Sequence, residues 1–302
     1  MTQDSLHPDL DPKKVRNITI RSWSIRLFRL LLRLMPRNPS ADITTKEEIK
    51  DGVKLRIHRP INKPTTNTIL WIHGGGLIVG SPSQNDKRCA RFVKELDATV
   101  IAVYYRLAPT YPFPIPLDDC MSAWKVVLKY AQELGVDPER IAIAGASAGG
   151  GLAASLALRI RDEGGIQPVA QVLLYPMLDD RTTTRTDIDP KEHLVWNNHS
   201  NRTGWSAYLG KRVGGEQLPP YAAAARHTDL SGLPPAWIGV GTLDLFYEED
   251  LSYASSLEQA GISMKLCVVE GGYHGFDNLD SEAAVSQSFL KEQVNFLKQF
   301  WS

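Results

Sequence analysis

Cysteine is scarce in this 302-residue chain: Cys89, Cys120 and Cys267 are odd in number and far apart. That rules out a disulfide framework, and no metal-ligand spacing is present. The three read as reduced, buried, small apolar residues. Neither sign of charge is in surplus, because 34 basic side chains meet 34 acidic ones. Nothing therefore points to a nucleic-acid partner. No apolar run is long enough to span a bilayer. The first fourteen residues are polar, with Asp4, Asp9 and Asp11 and no apolar stretch of the kind a secretion signal needs. A cytoplasmic location is the expectation. Internal repeats and low-complexity tracts are absent as well.

What the chain does have is 43% hydrophobic content, enough for a sizeable core. Its size suits one α/β domain with an insertion or two domains equally well. Residues 1–17 read as a loosely attached arm. Ser22–Met35 reads as a helix closed by Pro36, with Arg26, Arg29 and Arg33 on one face and a broad apolar arc on the rest. It is too short and too charged to cross a bilayer. Docking on its own protein is the favoured reading of this helix, and lying on a membrane surface through 22–35 is the other.

Beyond it, residues 43–59 suit two strands joined at Asp51-Gly52, and Thr68–Ile72 suits a buried strand. A helix is expected over Lys87–Leu96, a strand over Thr99–Val103, a proline-punctuated loop to Pro114 and a helix over Asp118–Leu134. Next come a strand from Ile141, a helix over Gly151–Arg161 and a strand over Val169–Tyr175. Alternation then stops. Residues 178–235 are polar, with Trp196, Trp205 and Tyr208 scattered through them, and read as an insertion with its own helices. Strand and helix patterns return at Ala236–Val240, Glu248–Ala260, Met264–Val269 and Ser281–Trp301. Such alternation predicts an α/β fold whose mostly parallel sheet is covered by helices on both faces.

Three stretches carry candidate chemistry. Ile141–Ala146 runs into Gly145-Ala146-Ser147-Ala148-Gly149, a Gly-x-Ser-x-Gly between strand and helix that would lift the Ser147 hydroxyl above a sheet edge as a nucleophile. A serine needs a base, and the base needs an orienting group. Asp244 follows the Ala236–Val240 strand, and His274 follows the Met264–Val269 strand inside a glycine loop. Both fall at strand ends, where open α/β sheets carry their sites. The order Ser, Asp, His is that of the α/β-hydrolase arrangement. His7, His58, His193, His199 and His227 lack such a loop, and the rivals of Asp244 are Asp250 and Asp277. The third stretch is His73-Gly74-Gly75-Gly76. Its glycines let backbone N–H groups approach a developing oxyanion, with Gly75, Gly76 and Ala148 as donors and Gly74 shaping the turn. A phosphate-binding loop is disfavoured there, since neither Gly-x-Gly-x-x-Gly nor Gly-x-x-x-x-Gly-Lys occurs.

With Tyr-Arg-Leu-Ala-Pro at 105–109, Leu-Pro-Pro-Ala at 233–236, Asp244 with Glu248 downstream and Tyr-His-Gly-Phe at 273–276, the chain resembles the hormone-sensitive-lipase family of α/β-hydrolases. The likeness covers roughly residues 50 to 300. It implies carboxylesterase activity on short- to medium-chain acyl esters, a small-molecule ester substrate, and no cofactor or metal. It also implies a helical cap built from the arm (1–45) and the insertion (178–235) over a core made of 46–177 and 236–302, and a homodimer through Met264–Val269. Ala146 and Tyr104 depart from the family, which often has an acidic residue at each place. Arg106 and Asp119 are expected to be structural, as an ion pair or loop anchor near the oxyanion turn, Glu248 to support the Asp244 loop or stand as a plain N-terminal helix carboxylate, and Phe276, Trp205 and the N-terminal helix to narrow or roof the pocket. The alternatives to an esterase are an amidase or deacetylase on small aromatic amides, a membrane-associated lipase and, least favoured, a catalytically dead receptor.

Overall fold

The fold was determined as a computed structural model, which describes residues 5–15, 17–34, 40, 42–61, 63–189 and 193–301. After a short 3-10 turn at Ser22–Ser24, α1 (Ile25–Leu34) packs on the core through Ile25, Phe28 and Leu32. Met35 and Pro36, where the sequence predicts its end, lie outside the described residues. The strands β1 (Ile43–Lys50) and β2 (Val53–Pro60) form the predicted hairpin, turning at Asp51 and Gly52 with positive φ angles of 49° and 79°. β3 (Thr68–Ile72), α2 (Asp86–Leu96), β4 (Thr99–Val103) and α3 (Ile115–Lys129) follow.

Two helices begin three residues earlier than the sequence predicts. α3 starts at Ile115 rather than Asp118 because Pro116 sits in its first turn, where its missing N–H would have had no partner. It stops at Lys129, five residues before the predicted Leu134. After β5 (Ile141–Ala146), α4 (Ala148–Glu163) takes in Ala148, Gly149 and Gly150, which the predicted helix from Gly151 left out. β6 (Gln171–Leu174) closes the first half. The insertion holds α5 (Asn198–Leu209) and several 3-10 turns, after which β7 (Ala236–Gly241), α6 (Tyr247–Gln259), β8 (Met264–Val269), the short α7 (Phe276–Leu279) and α8 (Ala284–Lys298) complete the chain.

The strands form one eight-stranded sheet in the order β1-β2-β4-β3-β5-β6-β7-β8. Only the β1–β2 and β2–β4 pairs are antiparallel. β3 shows why both faces are covered: Leu70 and Ile72 point into one apolar core while Ile69 and Trp71 point into the other. The first core packs against α3, α4, α6 and the insertion, and the second against α2 and α8. Parallel strands bring the loops after β3, β5, β7 and β8 to the same sheet edge. Among the described residues, no helix is long and apolar enough to cross a membrane.

A buried carboxylate on α6 helps to fasten the insertion to the core. Glu249, in the first turn of α6, accepts the N–H of Leu178 at 2.7 Å and of Asp179 at 3.1 Å, and the Thr182 hydroxyl. Glu248, which the sequence offered as a support for the Asp244 loop or a plain N-terminal helix carboxylate, is exposed. Burial pushes the Glu249 carboxyl up to about 8. The adjacent Asp250 is fully buried, with no hydrogen-bond partner for either oxygen among the described residues. Burial above all, and then the neighbouring Glu249 and Asp244, raise it well above the carboxylate range. Both groups hold their proton in the folded chain at pH values where an unfolded carboxyl has lost it. The folded state then binds more protons, so stability falls as pH rises. Denaturation midpoints should therefore decline from pH 4.5 towards 8. Glu249→Gln, which retains acceptors without titrating, should flatten that slope, and Asp250→Asn should flatten it further. Glu249→Ala should cost about 1–3 kcal/mol throughout, read by chemical denaturation, because buried N–H groups lose their acceptor.

Candidate active site

Ser147 lies between the last residue of β5 and the first of α4, at φ 57° and ψ −124°. A non-glycine residue held there stores on the order of 1–3 kcal/mol of strain. Backbone bonds hold it in place: the Ser147 N–H donates to the Leu174 carbonyl at 2.8 Å, and its own carbonyl accepts from Gly151 and Met177, both at 3.0 Å. The flanking glycines are a matter of space. A Cβ on Gly149 would stand 2.2 Å from the Ile72 carbonyl oxygen, and one on Gly145 would stand 2.2 Å from that of Gly149. Helix and strand ends thus meet backbone to backbone.

Asp244 sits in the turn after β7, its N–H donating to the Gly241 carbonyl at 3.1 Å. One carboxylate oxygen accepts the Phe246 N–H at 3.0 Å, and the other lies 2.8 Å from Nδ1 of His274. On the far side of the same ring, Nε2 is 2.9 Å from Oγ of Ser147. All three side chains are buried. The sequence places them 127 and 30 positions apart from His274, and the fold joins them in one line. Aromatic rings fix the imidazole plane: Phe246 and Tyr175 meet it edge-on at centroid distances of 5.3 and 4.9 Å, with Trp196 at 6.4 Å.

The 73–76 loop leaves β3 beside this line. The Gly75 carbonyl accepts from Ile78 at 3.1 Å and Val79 at 3.0 Å, while no hydrogen bond among the described residues takes the N–H of Gly75 or Gly76. Ala148 opens α4, where N–H groups have no intrahelical acceptor. His73 anchors the loop. Its Nδ1 is 2.7 Å from the Gly74 carbonyl oxygen, its ring stacks on Tyr105 at 4.2 Å, and the Tyr105 hydroxyl donates to the His73 carbonyl at 2.8 Å. Burial pulls its imidazole down to about 4, so it carries no charge at neutral pH. From the insertion, Trp196 rests on Gly76 so closely that a Cβ there would meet the indole ring at 2.1 Å. A narrow cavity opens next to Ala148, lined by Gly151, Leu152, Met177, Trp205 and Tyr208 among others.

Several side chains fall elsewhere than the sequence led us to expect, or were missed. Trp205 does line that cavity, but Phe276 does not narrow it; it is fully buried against Tyr273 and Phe289 in the opposite core. Arg106 and Asp119 form the expected ion pair, at 2.7 Å, with Arg106 largely exposed. Asp277, a rival of Asp244 in the sequence, stands three residues past His274. It receives Arg88 of α2 through two bonds of 2.6 and 3.2 Å and the Tyr175 hydroxyl at 2.8 Å, all buried. This cluster backs the tyrosine ring that meets His274. No local pattern marks Arg88, since its partner lies 189 positions away. Among the described residues, no group of three or more His, Cys, Asp or Glu side chains is placed to hold a metal ion.

An eight-stranded sheet with three loops converging at one edge defines an α/β-hydrolase, and comparison with known proteins agrees. Residues 69–278 match the model of a family described by its alpha/beta hydrolase fold. The ethyl acetate hydrolase of Pseudomonas putida is 30% identical over 256 residues, spanning 83% of this chain and 80% of that protein. The structure of a bacterial heroin esterase superposes with a TM-score of 0.86 at 33% identity, covering 99% of both chains. An esterase from the bacterial hormone-sensitive lipase family does so with a TM-score of 0.77 at 27% identity, covering 92% of this chain and 90% of the other. The chain belongs to the α/β-hydrolase family, and to the hormone-sensitive-lipase type that its motifs resemble.

Removing one partner of a buried ion pair strands the other charge, at about 3–5 kcal/mol. Asp277→Ala should lower stability by that amount in chemical denaturation. The double change Arg88→Met with Asp277→Leu should recover most of it, yet still turn over ester more slowly than wild type, because Tyr175 loses its anchor beside His274.

Proposed function

We propose that this chain, a carboxylic ester hydrolase, works as a serine carboxylesterase on short- to medium-chain acyl esters, with Ser147 as nucleophile, His274 as base and Asp244 as the group that orients it. The observation that carries this reading is the unbroken line from the Ser147 hydroxyl through both nitrogens of His274 to Asp244, at 2.9 and 2.8 Å. In the first half-reaction, the Ser147 proton passes to Nε2 as Oγ bonds to the acyl carbon. The carbonyl oxygen becomes an oxyanion and accepts the N–H groups of Gly75, Gly76 and Ala148. When the intermediate collapses, the carbon–alkoxy bond breaks and His274 returns the proton to the departing alcohol. In the second half-reaction, water gives a proton to His274 and attacks the acyl-enzyme; the acid leaves and the serine regains its hydrogen. Asp244 holds the proton-bearing nitrogen at Nδ1 and stabilises the imidazolium between steps.

The cavity beside Ala148 supports an acyl site of limited length, closed by Trp205, Tyr208 and Met177. The arm at 1–45 and the insertion at 178–235 act as a cap, with Trp196 as the part of it nearest His274. Three unpaired cysteines suit a reducing, cytoplasmic setting. β8 is the free parallel edge of the sheet, and a homodimer paired along it is part of the same proposal.

Ser147→Ala should abolish hydrolysis of p-nitrophenyl butyrate with an unchanged melting temperature; wild-type turnover in that variant would overturn the assignment. Asp244→Asn should keep the geometry and favour the wrong tautomer, with a loss of about 10⁴-fold in kcat. Across p-nitrophenyl esters of increasing length, kcat/KM should peak at the short chains, and Trp205→Ala should move that peak to longer ones.

A further inference from the structure

We infer that the outward face of α1 is a docking surface for an anionic lipid membrane. Trp23, Leu27, Leu30, Leu31 and Leu34 are exposed by 77, 52, 54, 51 and 72%. The spacing of the four leucines places them on a single stripe of α1, and Trp23 stands in the 3-10 turn that leads into it. The other large exposed apolar side chains beyond this segment, such as Ile49, Ile61 and Ile166, are scattered over separate elements. This stripe cannot turn inward, because the opposite face is already committed. Ile25, Phe28 and Leu32 pack on the core, and Arg29 donates to the carbonyls of Ile78 at 2.8 Å and Ala108 at 2.6 Å. An apolar stripe held outward by a fixed inner face is more than the isolated exposed leucines of an ordinary surface.

Charge selects the occupant. Residues 17–34 contain no Asp or Glu, whereas Arg21 and Arg26 are exposed beside the stripe. A second copy of this face would bring arginine against arginine with no carboxylate in the segment to offset it. Anionic headgroups offset it directly, with the leucines in the acyl boundary and the amphipathic indole of Trp23 at headgroup level. At ten residues α1 lies on a bilayer rather than across it. Arg29 also ties the inner face of α1 to Ile78, two residues beyond Gly76, so α1 stands between a docked membrane and the loop proposed to hold the oxyanion. The docking itself does not depend on the hydrolytic mechanism.

The test is sedimentation of the full chain with sucrose-loaded vesicles, either equal parts phosphatidylglycerol and phosphatidylcholine or phosphatidylcholine alone. Wild type should sediment with the anionic vesicles at low salt, and binding should weaken at high salt. Leu27→Gln with Leu31→Gln should lower partitioning by at least about tenfold, and Arg26→Gln by roughly fivefold. Both variants should keep the far-UV circular dichroism spectrum and melting temperature of wild type, which shows the fold intact. Ser147→Ala should bind as wild type does, which separates this result from the fate of the catalytic assignment. The inference is overturned if wild type stays in the supernatant, or if the double leucine variant binds unchanged. A concentration-dependent dimer that the double variant dissolves would overturn it too, giving the face to a second copy.

Discussion

The backbone contact between α4 and the ends of β3 and β5 is the constraint on which the rest of the site depends. With only hydrogens on Gly145 and Gly149, the helix starts close enough to Ile72 for its first N–H, the Ser147 hydroxyl and the 73–76 loop to share one small space. Everything else is brought to that point. The loops after β7 and β8 supply the carboxylate and imidazole because parallel strands end at one edge. The strain at Ser147 persists because its neighbours bond both its N–H and its carbonyl.

A second layer holds the imidazole without touching the proposed chemistry. Tyr175 meets the ring edge-on, Asp277 holds the tyrosine hydroxyl, and Arg88 holds Asp277. Glu249 plays a comparable part for the insertion, tying Leu178, Asp179 and Thr182 to the first turn of α6 only five residues past Asp244. These are polar contacts in a dry interior, where each group is costly if left alone and strongly directional when paired.

Much of this could be read from the sequence because the signals are local. Strand–helix alternation sufficed for the sheet, and residues next to strand ends sufficed for Ser147, Asp244 and His274. What escaped was either non-local or a matter of space. Arg88 and Asp277 sit on different elements with no shared pattern, and the reach of α4 back to Ala148 depends on how the glycines pack rather than on their low helix propensity. Glu248 and Glu249 differ by one position, so their fates turn on helix phase: one faces solvent and the other faces Leu178. Phe276 was misplaced for a similar reason, since a residue two after the histidine can point to the far side of the sheet, and does.

The seat of Trp196 on Gly76 bears on how such a scaffold can be remodelled. That indole presses on the very turn whose amides are proposed to face the acyl carbonyl, so trimming it to admit bulkier molecules also removes a prop from those amides. Breadth of substrate and sharpness of the donor geometry are opposed at position 196. Position 205 lines the cavity beside Ala148 and packs on Tyr208, which makes it the better starting point for a library aimed at new esters.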